Sequence, residues 1–245
     1  MKKLKSPEKL AFSHKQAEKA ALIYQNARYS AASLLQAFEL ARASRGKPRG
    51  MTTDQEQDIL RAMLVMSAAG LDASLKQIIR DALPELATRE YAVQQGFEKF
   101  VRQSLAGADV ESDAASGLKF LARVLSTPSP YWRAVDEYIR DLTGDSLQSA
   151  EQVLSAVAAL GLDHQKMGFS IQDLKVIFKV RNQIIHELDI DLGGERRKRN
   201  IRGRDDMVGY ADTLLNTTAS IILGVDKKCR PPTRPFSVRP LRGRR

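Results

Sequence analysis

Phe178-Lys179-Val180-Arg181-Asn182-Gln183-Ile184-Ile185-His186-Glu187 is the stretch whose period decides how the chain is read. At about 100° per residue a helix gathers Leu174, Ile177, Phe178, Ile184, Ile185 and Leu188 into one apolar arc, with Arg181 inside it. Asn182 and His186 are four residues apart and share a face beside that arc, and Lys175 and Lys179 lie on the same flank. An arginine, an amide, an imidazole and two ammonium groups on one helix suit the handling of a phosphodiester. A second reading stays open at this point: Arg181 makes a buried or interfacial ion pair, and His186 is an ordinary surface histidine.

Outward from this helix the apolar residues keep helical spacing, strand-like alternation is sparse and aromatics are only 6%, so the expected fold class is all-α. Ser6-Pro7-Glu8 offers a cap with proline at the first helical position, opening a helix through Leu10, Ala17, Tyr24, Leu35 and Phe38 to about Ser44. Thr53-Asp54-Gln55-Glu56 is a capping box for a second helix, which Pro84 is expected to close. Shorter segments from Thr88 to Leu160 read as inserted or elaborated helices, interrupted by Thr127-Pro128-Ser129-Pro130. Ser170-Ile171-Gln172-Asp173 caps the Arg181/His186 helix, which runs to about Asp189, and Asp205 to Leu223 forms the last one. The expected organisation is one helical domain over 1–225 and a basic, disordered tail over 226–245.

The 245 residues carry a net charge of +10. The segment from Asp226 to Arg245 alone contributes +7 of it. A second basic run, Arg196-Arg197-Lys198-Arg199 with Arg202 and Arg204, follows the break at Gly193-Gly194. Either run can hold a polyanion or serve as a solvated face. Lys175, Lys179, Arg196, Arg197, Lys198 and Arg199 are therefore candidate nucleic-acid contacts. With one cysteine, Cys229, and three histidines, His14, His164 and His186, neither a disulfide framework nor a multi-cysteine or histidine-rich metal site is expected, and no cofactor is called for. No signal sequence or membrane span is read, which gives a cytoplasmic expectation. Trp132 reads as a core anchor rather than a base-stacking platform, and His14 and His164 as ordinary helix-surface and loop residues.

The run Arg181-Asn182-Gln183-Ile184-Ile185-His186, with Val176-Ile177-Phe178-Lys179-Val180 before it and Glu187-Leu188 after, resembles the signature of the HEPN superfamily. There an arginine, a polar residue and, a few residues later, a histidine lie on the third principal helix of a four-helix bundle. The likeness extends more loosely to Leu71-Asp72-Ala73-Ser74-Leu75-Lys76-Gln77-Ile78-Ile79 and to Asp205 to Leu223, while Thr88 to Leu160 has no counterpart. The resemblance implies an up-and-down four-helix bundle core with extra helices inserted in the middle. It also implies a metal-independent endoribonuclease whose cleft forms at a homodimer interface, acting as a toxin or antiviral defence effector with an antitoxin or defence-system partner. Arg181, Asn182 and His186 would be catalytic: His186 as acid or base, Arg181 on the phosphoryl charge and Asn182 orienting; Asp72 reads as an ordinary surface acid, with a helper acid as the lesser alternative. Family members regulated by modification carry a tyrosine two residues after the histidine, where this chain has Leu188. The alternative function is a non-catalytic helical RNA-binding or protein-interaction module.

Overall fold

The computed structural model describes residues 2–45, 50–106, 114–191, 193 and 198–230. It is all-α: α1 (Lys15–Ser44), α2 (Asp54–Arg89), α3 (Tyr91–Ala106), α4 (Ala114–Leu125), α5 (Pro130–Gly144), α6 (Ala150–Ala159), a short 3-10 turn (His164–Met167), α7 (Ile171–Glu187) and α8 (Arg204–Cys229). The extended pairing among the described residues is a single isolated antiparallel bridge, Ile190 to Arg199.

Three long helices, α1, α2 and α8, pack against one another around Tyr24, Phe38, Leu64, Leu71, Ile78 and Ile222, all fully buried. Removing each such side chain from water contributes about 1.5–3 kcal/mol. Cross-contacts give the directions. Gln16 bonds Glu85 and Arg42 pairs with Glu56, so α1 and α2 are antiparallel. Gln57 contacts Arg202, and Arg89 contacts Lys228, so α2 and α8 run the same way. Arg61 meets Asp189, and the charge of Asp72 acts on Arg181, so α7 runs antiparallel to α2. In chain order the directions of α1, α2, α7 and α8 therefore alternate. α1 and α2 approach closely at Gly70, where a Cβ would lie 2.2 Å from Cβ of Ala27 on α1.

Helix starts follow local chemistry only where no stronger partner competes. The capping box of α2 forms as expected: Thr53 Oγ1 accepts from the Glu56 amide at 3.2 Å, and the Thr53 amide donates to Glu56 Oε2 at 3.0 Å. The start expected at Ser6-Pro7 does not form, and α1 opens at Lys15 instead. Residues 2–14 lie along α8, because its aspartates accept their amides: Lys2 on Asp205, Lys5 and Ser6 on Asp212, Ser13 and His14 on Asp226, at 2.7–3.0 Å. The Tyr24 hydroxyl donates to the Pro7 carbonyl in the same stretch.

Pro84 does not close α2, which continues to Arg89 with the proline inside it. A mid-helix proline loses one backbone bond and costs about 3 kcal/mol. Leu83 and Leu86, both fully buried, offset that cost by about 1.5–3 kcal/mol each. At the other end α8 extends to Cys229, with Asp226 and Cys229 buried, so the boundary expected at 226 falls inside a helix. The remaining tail, 231–245, lies outside the described residues.

The middle helices do form: α3, α5 and α6 pack beside α2, and α4 packs on α3 and α5. They add a small apolar cluster in which Phe100 meets Phe120 and Tyr138 edge-on or tilted, at ring distances of 6.0 and 4.9 Å. Trp132 is not a core anchor: it is 44% exposed, with its ring edge-on to Tyr131. Among the described residues one helix, α2, is long and apolar enough to cross a membrane, and Leu60, Leu64, Leu71, Leu75 and Ile78 along it are buried in the core.

Candidate functional site

Ser170 starts α7 by accepting the Asp173 amide at 3.2 Å. Leu174, Ile177, Phe178, Val180 and Ile184 then face the interior. Val180 replaces two members of the expected arc, since Ile185 is 38% and Leu188 66% exposed. The helix ends at Glu187, two residues short of the expected limit.

Arg181 is half-buried and makes no ion pair among the described residues. Its Nη1 donates to Asn182 Oδ1 at 2.9 Å, while its Nε is buried without a hydrogen-bond partner. Burial holds the guanidinium below its usual pKa, and the charge of Asp72 acts in the opposite direction. Asp72 does face Arg181 across the α2–α7 seam, but its oxygens accept from the Leu147 amide at 2.9 Å and from Lys76 Nζ at 3.1 Å. Asn182 donates from Nδ2 to the Gln148 carbonyl at 3.2 Å. The Arg181/Asn182 pair therefore faces the α5–α6 loop. His186, one turn further along the Asn182 face, is exposed and has no partner among the described residues.

The candidate RNA contacts divide. Lys179 is exposed and free of described partners, and Lys198 is exposed. Lys175 pairs with Glu151 at 3.0 Å, next to a cleft lined by Asp141, Asp145 and Glu151 that repels a polyanion. Arg199 is tied to Asp58 Oδ1 at 2.6 Å and to the Leu188 carbonyl at 3.3 Å. Arg196 and Arg197 lie outside the described residues.

A second polar assembly, passed over in the sequence, sits immediately beyond His186. Leu188 and Asp189 both adopt positive φ, 52° and 61°, and turn the fully buried Asp189 carboxylate back under α7. It accepts from Arg61 Nε at 2.8 Å, Arg202 Nε at 3.1 Å and Asn200 Nδ2 at 3.2 Å. Arg61 also reaches the Asn200 carbonyl at 2.8 Å, and Arg202 reaches Gln183 Oε1 at 2.9 Å. Burial alone would raise the Asp189 pKa, but the donors from Arg202, Arg61 and Asn200 outweigh it and leave the carboxyl below its ordinary value. The knot joins α2, the end of α7 and the entry to α8 three residues after His186. A tolerance of aspartate for left-handed backbone just past a helix end was the one available sequence signal.

Arg181 and Asn182 are half-buried and His186 is exposed at the surface of the chain. No protein-family model matches the chain, and no curated protein or solved structure matches it significantly.

Proposed function

We propose that the chain is a metal-independent endoribonuclease of the HEPN type, with α7 from two copies of the chain forming one cleft. The observation that carries this reading is Arg181: a half-buried guanidinium that, among the described residues, has an unpartnered Nε and no carboxylate in salt-bridge range, five residues before an exposed imidazole likewise without a described partner. A buried donor without an acceptor is costly, and an isologous interface or a bound phosphate supplies one. The alternating directions of α1, α2, α7 and α8 support an up-and-down four-helix bundle core, with α3 to α6 as its insertion.

In this reading His186 removes the proton of an RNA 2′-hydroxyl, and the 2′-oxygen attacks the adjacent phosphorus. The P–O5′ bond breaks and the leaving oxygen takes up a proton, giving a 2′,3′-cyclic phosphate and a 5′-hydroxyl. Arg181 neutralises the charge that develops on the non-bridging oxygens, and its planar fork does this better than an ammonium group. Asn182 holds the guanidinium through Oδ1. Lys179 and Lys198 extend the positive surface for the backbone. The role of a toxin or antiviral defence effector with a neutralising partner belongs to the same proposal.

The test is incubation with varied RNAs in EDTA, comparing wild type with His186→Ala at equal circular dichroism. Cleavage leaving cyclic phosphate ends, and lost in the variant, is the expected result. Equal cleavage by both proteins would overturn the mechanism. RNA binding without cleavage in either would favour the non-catalytic binding module.

A further inference from the structure

The far end of the core carries a second unsatisfied site, unrelated to α7. His14 stands at the start of α1, Glu85 near the end of α2, and Cys229 is the last residue of α8. Their donor atoms, an imidazole nitrogen, a carboxylate oxygen and a thiol sulfur, all lie within 4.8 Å of one another. His14 is in the cap position but its side chain makes no capping bond, and its Nδ1 is buried with no partner. Beside it Gln16 donates from Nε2 to Glu85 Oε2 at 2.5 Å, and Gln16 Oε1 is also buried and unpartnered. Cys229 is fully buried. Two orphaned polar atoms around a mixed N, O and S donor set indicate a missing ligand rather than a packing accident.

We propose that His14, Glu85 and Cys229 bind one divalent transition-metal ion, zinc by donor set, as a clasp closing the ends of α1, α2 and α8. A thiolate excludes magnesium and calcium as the natural occupant, and one nitrogen, one sulfur and one oxygen are the ligand types that zinc accepts together. Zinc bonds of about 2.0–2.3 Å in a tetrahedron place ligand atoms about 3.3–3.6 Å apart. The three side chains therefore need to close by roughly 1 Å from their widest separation, within the reach of small rotamer changes. The charges balance, since the dication meets one carboxylate and one thiolate. Binding exchanges the thiol proton for the metal: Cys–SH and Zn²⁺ give Cys–S–Zn⁺ and H⁺. A water fills the fourth position, and Gln16 Oε1 is available to accept its hydrogen bond. Arg89, 2.8 Å from Glu85 Oε1, fixes the carboxylate from outside.

The ends being clasped are already brought together by Arg89 on the Lys228 carbonyl and by Lys228 on Glu90. Along α2, Glu85 lies 24 residues from Arg61, the residue under the end of α7. At 1.5 Å per residue that is about 36 Å. The ion is therefore structural and takes no part in chemistry at His186.

The test uses the full chain, stripped with chelator, dialysed and titrated with Co²⁺ alone. Cys229 is the only cysteine, so a thiolate-to-cobalt charge-transfer band in the near ultraviolet can arise from no other residue. The band should saturate at one equivalent and be displaced by zinc, and zinc should raise the melting temperature. His14→Gln and Glu85→Gln should each weaken cobalt binding by at least about tenfold. Absence of the band in the wild-type chain at saturating cobalt, which requires no variant to fold, overturns the proposal. Wild-type affinity in His14→Gln does the same. RNA cleavage is not a readout here, so this result and that of the ribonuclease test are independent.

Discussion

Replacing Asp189 with asparagine should separate the charge of the buried knot from its shape. The amide has the carboxylate's outline and tolerates the left-handed backbone at φ 61°. It deletes the negative charge facing Arg61 and Arg202, whose side chains are only 5% and 18% exposed. Breaking a buried pair by removing one partner costs about 3–5 kcal/mol. The lower end applies, because Arg61 retains Asp58 at 3.1 Å and the Asn200 carbonyl, and Arg202 retains Gln183. A loss of about 3 kcal/mol lowers the melting temperature by about 6–12 °C for a chain of this size. Urea denaturation followed by circular dichroism measures it. The sign with pH follows from a folded pKa below the unfolded one. The Asp189 contribution is complete above the ordinary aspartate value of about 3.9 and is lost as pH falls below it toward the folded value. Wild type should therefore lose more stability than Asp189→Asn on acidification below about pH 4. A destabilisation under about 1 kcal/mol, or parallel acid profiles for the two proteins, would refute the account of a charge-locked knot.

Two further substitutions test the backbone. Gly70→Ala places a methyl 2.2 Å from Cβ of Ala27, forces α1 from α2 and should cost about 1–3 kcal/mol in denaturant melts; a neutral result would show that the seam has slack. Leu188→Gly removes a bulky, 66% exposed side chain from φ 52° and should stabilise by about 0.5–1 kcal/mol after the entropy of the freer unfolded chain is counted; destabilisation would mean that the leucine packs against a partner, such as a second copy of the chain.

The features legible in the sequence are those whose causes are local. Thr53-Asp54-Gln55-Glu56 and Ser170 cap their helices because acceptor and amide are three residues apart, and the core faces of α1 and α2 follow helical period. Ser6-Pro7 misled because three aspartates of α8, more than 200 positions away, take the amides of residues 2–14. Pro84 misled because a rule of backbone geometry was outweighed by burial on both sides of it. Asn182 and His186 share a face as expected, and Arg181 makes no ion pair among the described residues. The Asp189 knot was hidden: nothing periodic links Arg61 to a carboxylate 128 positions on. His14, Glu85 and Cys229 were hidden for the same reason, since a search for cysteine pairs and histidine runs passes over one donor from each of three elements.

The arm along α8 also sets an order of events in folding. Its acceptors, Asp205, Asp212 and Asp226, recur at intervals of seven or fourteen residues, and successive amides from Lys2 to His14 meet them in the same sequence. During synthesis these first residues emerge some two hundred positions ahead of the helix that receives them. The α1–α2 hairpin closes a short loop and is available far earlier. The arm should thus be the last element to seat and the first to release. In native-state hydrogen exchange the amides of Lys5, Ser6 and Ser13 should open at lower free energy than those of α2. A bulky fusion placed ahead of Lys2 should loosen the arm from its Asp205 end while leaving the α1–α2 pairing intact.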